Sequence, residues 1–89
     1  MIDRENSLIQ VTVKLFAIYQ ETFNLPELTL NIPQESTVND VLDMLIKKKP
    51  QLEQWQEVTR FGVNLKFVEA DTIVREGDEI VLIPPVSGG

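Results

Sequence analysis

Residues 77–89 read GDEIVLIPPVSGG. Gly77-Asp78 is a turn signal, Ile80 to Ile83 form an unbroken apolar run, and Pro84-Pro85 stop backbone pairing. A half-buried strand alternates apolar with polar residues, whereas this one is apolar on both parities. Two arrangements satisfy that pattern: the strand is central in its sheet, or something else covers its second face. Beyond the prolines come Val86, Ser87 and the pair Gly88-Gly89.

The other segments supply a sheet for this strand. In LIQVTVKLF (8–16), Ile9, Val11, Val13 and Leu15 alternate with Gln10, Thr12 and Lys14, the pattern of a half-buried strand. Phe16 falls on the polar parity. AIYQETFNLPE (17–27) reads as a short helical turn or loop closed by Pro26. Alternation resumes at Leu28, Leu30 and Ile32, facing inward in a second strand that Pro33 ends.

The spacing predicts the main helix over 38–49. Thr37 caps it and Asp40 places a carboxylate in its first turn. Val38, Val41, Leu42, Leu45 and Ile46 form one apolar stripe, and Lys47-Lys48-Lys49 before Pro50 suit the negative end of the helix dipole. The lysine run also has the charge of a phosphate patch, and a solvated helix end is the reading preferred. QLEQWQE (51–57) reads as a turn laying Leu52 and Trp55 over the core edge, with a ligand-stacking tryptophan as the alternative. VTRFGVN and KFVEA bracket Asn64-Leu65-Lys66 as a short hairpin.

A helix between two pairs of strands gives one sheet with the helix across one face. With a right-handed crossover, the first and last strands lie parallel in the centre: an α+β, ubiquitin-like β-grasp fold. The expected organisation is a polar lead at 1–7, the β-grasp domain at 8–83 and an extended tail at 84–89.

Composition narrows the function. The chain has 89 residues, 43% of them hydrophobic, and a net charge of −6, which fits one ordinary globular domain. That charge opposes nucleic-acid binding and docking on anionic membranes, and favours a partner with a basic face. Without cysteine or histidine, the chain lacks thiolate chemistry, the commonest metal ligand and the commonest neutral-pH base. No apolar stretch approaches the ~20 residues of a membrane span, so a cytoplasmic protein with no metal site is expected. Glu69/Asp71 and Glu76/Asp78/Glu79 are read as turn carboxylates rather than acid–base pairs.

The remaining chemical handle is the chain end. A C-terminal carboxylate becomes an acyl donor once adenylated, and glycine, lacking a Cβ, suits passage into a narrow active site. Pro84 and Pro85 stiffen the stem, and residues 84–89 extend roughly 20 Å. The alternative is an unstructured terminus without a role.

KLFA (14–17), STVNDVLDMLIKKKP (36–50), VNLKFV (63–68) and DTIVREGDEIVLIPPVSGG (71–89) resemble the small subunit of molybdopterin synthase, the MoaD family within the ThiS/MoaD superfamily of ubiquitin-like sulfur carriers. The likeness covers roughly 8–89, and its specific part is the run from GDE through PPV to the terminal glycines. The polar lead is extra, and Gln20 stands where an arginine is frequent, so that position offers a partner no cation. The resemblance implies that an E1-like, MoeB-like enzyme uses ATP to adenylate the carboxylate of Gly89, and that sulfur replaces an oxygen to give a thiocarboxylate. The tail then enters a MoaE-like large subunit and donates sulfur to a cyclic pterin phosphate bound there. The chain itself is expected to bind no cofactor and to have no complete active site. A thiamin-pathway carrier, a ubiquitin-like modifier and a plain interaction domain are the other readings.

Parity supplies a docking face as well. Phe16, Val81 and Ile83 lie on the outer parity of neighbouring strands, and Phe67 extends the patch. Such a cluster marks an interface, or else fills a second small core under Trp55 and the 17–27 loop. The resemblance favours the interface.

Overall fold

The computed structural model describes residues 7–85. Five strands form one sheet in the order β2-β1-β5-β3-β4. They are β1 (Leu8–Leu15), β2 (Glu27–Pro33), β3 (Arg60–Val63), β4 (Lys66–Val68) and β5 (Glu79–Ile83). Strand β5 is central, the first of the two arrangements that its apolar character on both parities allows. It runs parallel to β1, with Val13 opposite Ile80 and Leu15 opposite Leu82, and antiparallel to β3, with Phe61 opposite Leu82. The N-terminal hairpin β1-β2 flanks this centre, and Val13 pairs with Leu28.

Helix α2 (Val38–Lys48) crosses one face. Its start is a reciprocal capping box: Asp40 N donates to Thr37 Oγ1 at 3.1 Å, and Thr37 N donates to Asp40 Oδ2 at 2.9 Å. The stripe Val38, Val41, Leu42 and Leu45 is fully buried against the inner residues Val11, Val13, Leu15, Ile32, Ile80 and Leu82. Lys49 ends the helix, and Pro50 opens a 3-10 segment (Pro50–Val58) rather than a single turn. There Leu52 is buried and Trp55 packs against the same core.

The 17–27 connection contains a short helix, α1 (Ile18–Phe23), which sinks Tyr19 completely into the core. The Tyr19 hydroxyl meets Thr59 Oγ1, and Thr59 Oγ1 donates its hydrogen to Trp55 O at 2.8 Å. Since threonine has one hydroxyl hydrogen, Tyr19 must be the donor in the pair. Burial pushes the phenol pKa above its ordinary value. Among the described residues no buried side-chain nitrogen or oxygen lacks a partner.

Candidate functional site

The sheet face opposite α2 is open. Across it runs a row set by register: Phe67 opposite Gly62, Gly62 opposite Val81, Val81 opposite Lys14, Lys14 opposite Glu27. A neighbouring row pairs Arg60 with Ile83. Phe67 is 81% exposed, while Val81 and Ile83 are partly covered. Gly62 leaves a dip between them, because a Cβ there would stand 3.4 Å from Lys66 O and 3.6 Å from Val81 Cβ. The result is an apolar depression of about 170 Å³ walled by Leu65, Phe67, Val81 and Ile83.

Phe16 stands one residue beyond β1, and continuing the register from Leu15 and Leu82 places it beside Ile83. It is 50% exposed. The next residue, Ala17, has φ 52 and ψ −124, a crowded conformation for a residue with a Cβ. This turn carries the chain from the sheet into α1. The four expected surface residues therefore share one face, and Trp55 lies against the main core instead of covering them.

Sequence reasoning spread the β3–β4 turn over Asn64 to Lys66. The turn is Asn64-Leu65 alone, both in the left-handed region with φ 50 and 74, and Lys66 already belongs to β4. Asparagine tolerates that region and leucine does not. Asn64 is tied on three sides: its N–H donates to Glu79 O (2.9 Å), its Oδ1 accepts from Glu79 N (3.0 Å), and its Nδ2 donates to Asp78 Oδ1 (2.9 Å). The turn follows from these bonds, and it holds Leu65 out in solvent, 90% exposed beside the depression.

An ion cluster borders the patch. Lys14 Nζ lies 2.8 Å from Glu27 Oε1 and 3.7 Å from Glu79 Oε2. The hydrogen bond and charge of Glu27, helped by Glu79, hold the Lys14 ammonium above its ordinary pKa. This cluster escaped sequence reasoning, since only the strand register brings its members together.

At the tail root Pro84 is buried and Pro85 is exposed, bordering a groove lined by Val58, Arg60, Phe61, Phe67 and Val68. Val86, Ser87, Gly88 and Gly89, expected to form the working tail, lie outside the described residues, as does most of the polar lead. Among the described residues no group of three or more His, Cys, Asp or Glu is placed to hold a metal ion, and no helix is long and apolar enough to cross a membrane.

The profile of the ThiS family matches residues 13–89, from β1 through the glycines. The chain belongs to the ThiS family. A relative from Arabidopsis thaliana, the molybdopterin synthase sulfur carrier subunit, is 36% identical over 85 residues, covering 96% of this chain and 88% of its own. The small archaeal modifier protein 1 of Haloferax volcanii superimposes with a TM-score of 0.76 at 26% identity, covering 88% of this chain and 99% of that one. A chain in the complex of subunits 1 and 2 of the molybdopterin-converting factor of Helicobacter pylori shares the fold, with a TM-score of 0.60 at 23% identity, covering 91% and 100%. This ThiS-family chain thus has a ubiquitin-like β-grasp body whose central strand leads directly into the Pro84-Pro85 stem.

Proposed function

We propose that this chain is the sulfur carrier subunit of a molybdopterin synthase. The carrying observation is the family match that runs unbroken to residue 89, together with relatives named for that role across nearly the whole chain. In this reading the reactive group is the carboxylate of Gly89. An E1-like enzyme adenylates it with ATP, releasing pyrophosphate. Sulfur at the sulfide level then attacks the acyl carbon and expels AMP, which leaves a thiocarboxylate. Pro84-Pro85 end the pairing of the last strand, and glycine adds no side chain to block entry into a partner's site. The thiocarboxylate gives its sulfur to a cyclic pterin phosphate held by the large subunit, whose side chains supply the acid–base chemistry.

The outer face carrying Phe16, Phe67, Val81 and Ile83 is the surface that docks on the large subunit. Its support is an apolar patch left open on an otherwise acidic protein. The Helicobacter pylori chain of the same fold is found in complex with a second subunit, in keeping with this reading.

Intact mass after incubation with ATP, the activating enzyme and a sulfur source tests the chemistry. One oxygen replaced by sulfur at Gly89 is expected. Isopeptide adducts on lysines without any terminal sulfur would instead indicate a protein modifier.

A further inference from the structure

We propose that the large subunit seats one cationic side chain, arginine or lysine, against Glu79 and Glu27 at the border of the apolar patch. This rests on the reading that the outer face docks on that subunit, and it names the chemistry the partner must bring.

Lys14 faces two carboxylates, at 2.8 Å and 3.7 Å, and these are the only ion pairs among the described residues. One positive charge against two negative leaves a surplus of one negative charge. The cluster shares the face with the docking residues: Lys14 lies directly opposite Val81, and Glu79 opposite Thr12 on the same side of the sheet. While the chain is free, water solvates the surplus, since all three side chains are partly exposed. A partner seated on Val81, Ile83 and Phe67 strips that water, and an uncompensated carboxylate at the edge of a dry contact is costly.

Glu79 is the open position. Its distance to Lys14 is that of an ion pair without a hydrogen bond, so its oxygens retain acceptor capacity. Its backbone N–H and C=O are both held by Asn64, which fixes the residue on the face. A guanidinium matches the geometry best, because its planar fork reaches two carboxylate oxygens at once. The chain's net charge of −6 speeds the encounter with such a basic surface.

Glu79→Gln tests this through the sign of the effect. The side chain is exposed and the backbone bonds remain, so the fold is retained, which circular dichroism checks. The dissociation constant for the purified large subunit of the same organism is then measured at low and high salt. With a partner cation present, the variant binds about ten- to a hundredfold more weakly at low salt, and its salt dependence is shallower. With no such cation, the substitution merely neutralises the cluster, and binding stays equal or tightens; either result overturns the proposal. Phe67→Arg is measured alongside. If it binds as well as the unmodified chain, the outer face is not the interface, and the underlying reading has failed rather than the charge assignment alone.

Discussion

If the outer face docks on the large subunit, replacing Leu65 with glycine should move folding and docking in opposite directions. The residue sits at φ 74 with its side chain 90% exposed, so it contributes nothing to the core. A leucine in the left-handed region costs about 1–2 kcal/mol. Glycine removes that cost but returns about 0.5–1 kcal/mol through greater freedom of the unfolded chain. The expected net gain is about 0.5 kcal/mol, which for a domain of this size raises Tm by about 2–4 °C. The same change removes a knob beside the depression formed by Phe67, Val81 and Ile83. Full burial of a leucine side chain contributes about 1.5–3 kcal/mol, so Leu65→Gly should bind the large subunit at least about tenfold more weakly. Thermal melts followed by circular dichroism and titration calorimetry read the two effects independently. A lower Tm would refute the assignment of strain to the turn. Unchanged affinity, with Phe67→Ala clearly weakened, would remove Leu65 from the docking surface.

Phe67→Arg and Ile83→Arg should each weaken large-subunit binding about a hundredfold while leaving the far-ultraviolet spectrum unchanged, since both side chains face away from the main core. Tyr19 predicts an alkaline limit. Its folded pKa lies above the ordinary value near 10, so its contribution to stability is complete below that pH and is lost as pH rises through the higher folded value. Lys14, also raised, acts in the same direction. As the chain has one tyrosine, tyrosinate absorbance follows it alone and should appear together with unfolding; ionisation of a still-folded chain would contradict this. Tyr19→Phe should cost about 1 kcal/mol at neutral pH and flatten the loss of stability above pH ~10. Thr37→Ala removes half of the capping box and should lower stability by about 1 kcal/mol in denaturant titrations, with little effect on binding.

Much of this architecture is legible residue by residue. Ile80 to Ile83, apolar on both parities, fit a strand in the middle of the sheet or one covered on both faces, and Thr37 with Asp40 marks the first turn of α2. Phe16, on the polar parity of its strand, points to the outer face from sequence alone. What escaped depends on contacts between distant segments. Tyr19 lies in a stretch with no periodicity, and its partner Thr59 is forty residues away. The Lys14 cluster exists because β2 and β5 both flank β1, in a register that local pattern cannot supply. The turn is one residue shorter than the sequence suggests because leucine disfavours the conformation that Leu65 adopts, and Asn64's three hydrogen bonds override that preference.

The parallel pairing of β1 with β5 has a consequence for synthesis. The strand next to the stem is the last of the five in chain order, yet the middle of the sheet cannot close without it. An unfinished chain is therefore two unjoined halves, each with an exposed flank. Cooperative closure of the sheet and delivery of the stem at a fixed edge are one event.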